Sequence, residues 1–146
     1  MHFNLSHGGA VALIAVGTAE YLGVDVERLD RLQDADRLAE RMLAPTELAA
    51  FQTLPAAARN PALLRCWTRK EAVLKALGVG LPGGMERVVI AESPLRLVGD
   101  LAIYPQLADL RLDDLPVSAG YAATLCQGSR HQTPTLRRWS EGHVLG

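Results

Sequence analysis

Three carboxylates and a lysine carry the chemistry this chain offers. Asp25 and Glu27 lie in Gly23-Val24-Asp25-Val26-Glu27, an apolar stretch with the pattern of a strand. Side chains two apart on a strand point to one face, so both carboxylates project from the same surface. Glu71 and Lys75 follow in Trp67-Thr68-Arg69-Lys70-Glu71-Ala72-Val73-Leu74-Lys75, where helical spacing puts them on a shared face. Taken alone, Glu71 and Lys75 read as an ordinary solvated pair, worth a few tenths of a kcal/mol. Joined to the strand carboxylates they describe a site for a hard divalent cation beside a phosphate. Magnesium prefers octahedral oxygen coordination and is commonly completed by substrate phosphate and water. Histidine is scarce nearby and no cysteine cluster exists, so zinc fits less well.

Such a cation neutralises diphosphate oxygens and stabilises charge on a leaving group, and Lys75 adds a second positive charge. Glu71, directly or through water, is the candidate to take a proton from an incoming hydroxyl, an effect typically of about 10²–10⁴-fold. Metal binding and base catalysis compete for its lone pairs, and both roles stay open. Ser6-His7-Gly8-Gly9 is a second candidate for phosphate binding, combining a hydroxyl, an imidazole and glycine amides. A structural glycine turn and a structural histidine are the simpler reading of that motif. No GxSxG nucleophile elbow is present.

The elements that must position these groups are legible in outline. Val11–Val16 reads as a buried strand after the Ser6–Gly9 turn, and Tyr21–Glu27 as the next, paired with it as an antiparallel hairpin. Residues 34–43 have helical periodicity, and a short helix follows with Pro45 early and Leu48 and Phe51 inward. Residues 54–60 read as a loop. The long helix is expected to begin with Asn60 as N-cap and Pro61 in its first turn, and to stop at Gly78. At about 100° per residue, Leu63, Cys66, Trp67, Val73, Leu74 and Leu77 form its apolar stripe. Glu71 falls on the stripe's edge, Lys75 just beyond it, and Lys70 inside it, where a charge is costly unless paired. Residues 78–84 form a glycine-rich turn region. Residues 87–91, 95–98 and 118–126 read as strands, and 100–116 is ambiguous. Helices inserted between antiparallel strands give an α+β class, with one domain over 1–126 and a polar tail, surface-hugging or mobile, over 127–146.

The 146 residues suit a single domain that buries roughly two thirds of its unfolded surface. Hydrophobic residues at 49% and charged residues at 21% exclude a disordered chain. A net charge of −1 argues against a dedicated nucleic-acid binder. Cys66 and Cys126 show no CxxC spacing and read as buried free thiols, which points to a reducing cytoplasm. The apolar run 10–16 is too short to cross a bilayer and lacks the basic leader of a signal peptide.

Taken together, Phe3-Asn4-Leu5-Ser6-His7, Gly23-Val24-Asp25-Val26-Glu27 and Trp67–Lys75 continuing into Gly78-Val79-Gly80-Leu81 resemble the 4′-phosphopantetheinyl transferases. The Asp-x-Glu strand favours the larger type, which activates peptide and polyketide synthases, over the small holo-acyl-carrier-protein synthases. The resemblance implies that a carrier-protein serine attacks the diphosphate of coenzyme A, takes phosphopantetheine and releases adenosine 3′,5′-bisphosphate. It assigns magnesium to Asp25, Glu27 and Glu71, with Glu71 as favoured base. Lys75 would contact the diphosphate or pantetheine phosphate, and Ser6 and His7 the coenzyme A phosphates. Lys70 would serve structure or substrate phosphate.

Larger family members have two similar halves with coenzyme A between them, and this chain resembles mainly the second. A homodimer, or a partner supplying the missing half, is the expectation, since a true twofold can mimic a pseudo-twofold. Arg28, Arg31, Arg37 and Arg41 are candidates for docking an acyl or peptidyl carrier protein, against a plain solvated face balanced by Asp34, Asp36 and Glu40. The alternatives are a non-catalytic or truncated binding module that keeps the fold, and a different magnesium-dependent nucleotide enzyme.

Overall fold

A computed structural model describes residues 1–80, 84–92, 95–130 and 133–139. The chain opens with β1 (His2–Gly8) and β2 (Val11–Gly17), an antiparallel hairpin in which Phe3 lies opposite Val16 and Ser6 opposite Leu13. β3 (Leu22–Arg28) follows. Three helices come next: α1 (Ala35–Met42), α2 (Pro45–Gln52) and α3 (Ala56–Leu77). A 3-10 turn, Met85–Arg87, leads to the short pair β4 (Ile90–Glu92) and β5 (Leu95–Leu97). A second 3-10 turn, Pro105–Asp109, precedes β6 (Leu110–Asp114) and β7 (Tyr121–Gly128). The principal sheet has the order β3-β7-β6, antiparallel throughout. The α+β class expected from sequence is the class observed.

Local chemistry sets the helix limits. Asp34 caps α1 by accepting from the Arg37 amide at 3.1 Å. Pro45 stands in the first turn of α2, where Glu47 reaches back to the Ala44 amide at 2.8 Å. Gly78 ends α3 in the left-handed region at φ 71°, a conformation glycine adopts without a Cβ penalty.

Several expectations are corrected. α3 begins at Ala56 rather than after Asn60, so Pro61 lies inside the helix. The alanines at 56–58 are strong helix formers, and Arg59 ties the start down by donating to the carbonyls of Leu54 and Gln52. Asn60 donates its side-chain amide to the Leu32 carbonyl at 3.0 Å instead of capping the helix. Ser6 to Gly8 belong to β1 rather than to a turn. β2 pairs with β1, not with β3, whose ladder partner is the distant β7. Residues 85–87 form a 3-10 turn, so the strand expected from residue 87 starts only at Ile90. The ambiguous stretch holds β6. β7 continues past Cys126 to Gly128 and buries Gln127, so the expected tail boundary falls inside a strand. Residues 81–83 of the expected glycine-rich turn, and 131–132 and 140–146 of the tail, lie outside the described residues.

β3 is buried from Leu22 to Glu27 because it is covered on both faces. Leu22 and Val24 pack with Leu125 against Leu13 and Ala15 of the hairpin. The opposite face meets α3. A Cβ on Gly23 would sit 2.1 Å from the Ala72 carbonyl oxygen and 2.5 Å from the Ala76 amide. Glycine at 23 therefore lets the helix backbone lie directly on the strand. The larger core fills the space between α3, the shorter helices, β4 and β6, with Leu63, Val73, Leu74, Val88 and Leu107 almost wholly enclosed.

Candidate active site

Because Gly23, Asp25 and Glu27 alternate onto the face that meets α3, the close crossing at Gly23 brings the helix to the two carboxylates. Asp25 is only 4% exposed. Its Oδ1 accepts from Ser6 Oγ at 2.8 Å and from Lys75 Nζ at 2.8 Å, and Lys75 also donates to the Val24 carbonyl at 3.0 Å. Asp25 Oδ2 is buried without a hydrogen-bond partner among the described residues. An unpaired buried carboxylate oxygen is costly, and native structures commonly explain one by a function.

Ser6 does more than donate. Its Oγ accepts from the Val26 amide at 3.2 Å, and Asn4 Oδ1 accepts from the Val24 amide at 3.0 Å. Side chains of β1 thus satisfy the open edge of β3 where no strand is paired to it. Ser6 is a positioning residue for Asp25, and a buried one.

Glu27 and Glu71 complete the cluster. Burial pushes both carboxyls above their ordinary range. For Glu27 the opposing pull of Arg31 comes next, and Asp25 raises it further. For Glu71 the charges of Asp25 and Glu27 raise the carboxyl, while Lys75 and Arg31 lower it. Glu71 makes no hydrogen bond to another described residue. The three carboxylates therefore feel one another, although no three Asp, Glu, His or Cys side chains among the described residues stand in an arrangement that could hold a metal ion. Lysine and arginine each pair with one of them, Lys75 with Asp25 and Arg31 with Glu27. Arg31 Nη1 donates to both Glu27 oxygens at 2.7 Å, and its guanidinium lies 5.3 Å from the centroid of the Trp67 ring. The donor set suits a hard cation chemically, with three carboxylates and one orphaned oxygen.

His7 is exposed at the end of β1. It lines an open cleft of about 430 Å³ with Gly8, Gly9, Glu27, Arg28, Asp30 and Arg31. Lys70 is corrected. Its side chain is completely buried, and Nζ donates to the carbonyls of Met42 and Met85 at 3.0 Å and to Glu47 Oε2 at 2.5 Å. It bolts α1, α2 and the Met85 turn to α3 and presents nothing to a phosphate. Glu47 was missed in the sequence, and Arg31 was read there only as a candidate for docking a carrier protein. Glu47 had a readable signal, a glutamate in the first turn of a proline-started helix. Arg31 follows Glu27 by four, but outside a helix that spacing carries no geometric meaning.

The fold and site define a class, an α+β domain whose long helix brings a glutamate and a lysine to a two-carboxylate strand. A family model for the 4′-phosphopantetheinyl transferase superfamily matches residues 21–126, and the chain belongs to that superfamily. The match includes Asp25, Glu27, Glu71 and Lys75 and leaves out Ser6 and His7. The chain is 39% identical over 92 residues to the 4′-phosphopantetheinyl transferase HetI of Nostoc sp., covering 63% of this chain and 38% of HetI. It is 33% identical over 103 residues to a holo-[acyl-carrier-protein] synthase of Bordetella pertussis, covering 62% of this chain and 66% of that protein. Among solved structures it is similar to the holo-[acyl-carrier-protein] synthase of Helicobacter pylori in complex with coenzyme A. The TM-score is 0.60 at 20% identity, over 74% of this chain and 99% of that one. The Thermotoga maritima synthase gives a TM-score of 0.59 at 24% identity, over 78% and 66% of the two chains. These likenesses establish the fold.

Proposed function

We propose that this chain transfers 4′-phosphopantetheine from coenzyme A to a serine of an acyl or peptidyl carrier protein, leaving adenosine 3′,5′-bisphosphate. The observation that carries the reading is the meeting of Lys75 with Asp25 at 2.8 Å, with Glu71 one turn earlier on the same helix, in a chain of this family. Asp25, Glu27 and Glu71 would hold magnesium, which when bound supplies charge to neutralise the diphosphate. Lys75 spends two of its three N–H groups on Asp25 and the Val24 carbonyl, and the third, without a partner among the described residues, can hold a phosphate oxygen. Ser6 acts by fixing Asp25, and His7 stands at the cleft mouth where an anionic phosphate of coenzyme A can reach it. Glu71, raised by burial and by neighbouring carboxylates, is suited to take the serine proton. The serine oxygen then bonds to the phosphorus carrying pantetheine, and the bond to the adenosine bisphosphate oxygen breaks.

We further propose that a second copy of the chain packs against an exposed apolar face of the first. The outer face of the β1–β2 hairpin exposes Phe3 (77%), Leu5, Ile14 (71%) and Val16 side by side. Apolar patches of this kind mark association surfaces. No helix among the described residues is long and apolar enough to cross a membrane. The free thiols of Cys66 and Cys126 favour a reducing compartment, and on that ground we place the activity in the cytoplasm. The test is mass spectrometry of an apo carrier protein incubated with the chain, Mg²⁺ and coenzyme A. One phosphopantetheine should be gained, and Asp25→Ala and Glu71→Gln should abolish the gain. No gain at any protein concentration would favour a binding module that keeps the fold without the reaction.

A further inference from the structure

We propose that Arg31 is the resident counter-ion of the cation site, and that a divalent cation must displace its guanidinium from Glu27 in order to bind. The proposal rests on the reading of Asp25, Glu27 and Glu71 as the cation's ligands.

The three carboxylates are not equally open. Among the described residues Asp25 Oδ2 has no partner and Glu71 has no hydrogen bond. Glu27 alone has both oxygens taken, each 2.7 Å from Arg31 Nη1. A divalent ion at Glu27 and a guanidinium on the same two oxygens would repel each other across a partly buried, poorly screened distance. Glu27 is held in β3 with its side chain 12% exposed, whereas that of Arg31 is 46% exposed. Arginine is therefore the partner that moves. It has somewhere to go, because the same guanidinium already lies over the Trp67 ring and lines the cleft beside His7 and Gly9. Without a cation, Arg31 offsets the repulsion that Glu27 feels from Asp25. With one, it is redundant there.

Two properties follow that a merely structural arginine would not show. The cation and Arg31 compete, so removing the guanidinium should tighten cation binding. Arg31 leaving Glu27 should also change the environment of the Trp67 indole. The experiment uses the full chain in a Trp139→Phe background, so that Trp67 is the sole indole. Mn²⁺ affinity is read from the free-ion paramagnetic resonance signal, and Trp67 emission is read during Mg²⁺ titration at matched ionic strength. Arg31→Gln should bind Mn²⁺ about 5- to 10-fold more tightly, in the range usual for coupled sites. The parent should show a saturable Mg²⁺-dependent change in Trp67 emission that Arg31→Gln lacks. Arg31→Lys, which keeps a charge without the planar fork, should fall between the two in Mn²⁺ affinity and serves if the glutamine variant does not fold. Equal or weaker Mn²⁺ binding by Arg31→Gln would overturn the proposal while leaving the cation site intact. So would an unmoved Trp67 signal in a parent that binds Mn²⁺. Failure of the parent and both variants to bind Mn²⁺ would remove the cation site and the proposal with it.

Discussion

Gly23→Ala is the substitution that most sharply separates this packing from a generic strand and helix. The new methyl group would lie 2.1 Å from the Ala72 carbonyl oxygen and 2.5 Å from the Ala76 amide. Both are backbone atoms, so no rotamer change relieves the overlap. To reach ordinary contact, α3 must retreat from β3 by roughly 1 Å, and Glu71 and Lys75 travel with it. Overpacking of this kind typically costs about 1–3 kcal/mol. For a domain of this size that is a fall in Tm of roughly 3–10 °C. A displacement of about 1 Å at a reacting centre can cost on the order of 10²-fold in rate. The variant should therefore lose far more transfer activity than its stability alone explains. Scanning calorimetry and the carrier mass assay, both run well below Tm, separate the two effects. Gly78→Ala is the control, because its Cβ meets nothing within 4 Å although φ is 71°. It should lower Tm through backbone strain and leave the rate of the folded protein near the parent's. Parental activity in Gly23→Ala would refute the claim that close crossing positions the site.

Lys70→Met should destabilise by about 3–5 kcal/mol, because it strands the buried Glu47 carboxylate without its ammonium. Denaturant unfolding checks this, and adding Glu47→Gln should recover part of the loss. Ser6→Ala removes a donor from Asp25 and an acceptor from the Val26 amide. A loss of roughly 1–3 kcal/mol follows, with weaker Mn²⁺ binding measured by titration. Glu71 has its carboxyl raised above 4.5 in the folded chain, first by burial and then by Asp25. The folded state therefore holds that proton at higher pH than the unfolded state, and stability declines as pH rises through the folded value. Without metal, Glu71→Gln should raise Tm at pH 7 by roughly 1–3 °C and make no difference at pH 4. A lower Tm at pH 7 would contradict the repulsion argument.

Where the sequence could be read, local pattern and function pointed the same way. The period-two placement of Asp25 and Glu27 and the four-residue spacing of Glu71 and Lys75 survive intact in β3 and α3. Gly78 stops the helix as a left-handed residue should. Lys70 stood out as a charge inside an apolar stripe, and the structure supplies its partners. Elsewhere the cues misled for physical reasons. β1 shows Phe3 and Leu5 to solvent and buries Ser6, which inverts the usual strand pattern and made Ser6-His7-Gly8-Gly9 look like a turn. Pro61 marks a helix start by its ordinary preference, yet three alanines and the Arg59 contacts extend the helix ahead of it. The pairing of β3 with β7 joins residues about a hundred apart, and nothing local encodes such a choice. Arg31 was read as part of a basic surface because its bond to Glu27 depends on the loop between them.

A crystal structure of the chain grown with Mn²⁺ and coenzyme A tests the central claim most directly, since anomalous scattering locates the ion without assumption. One Mn²⁺ should lie within about 2.0–2.6 Å of carboxylate oxygens from Asp25, Glu27 and Glu71, with a diphosphate oxygen beside it and Arg31 released from Glu27. An ion held elsewhere, or coenzyme A bound with Glu71 turned away from Asp25, would contradict the account.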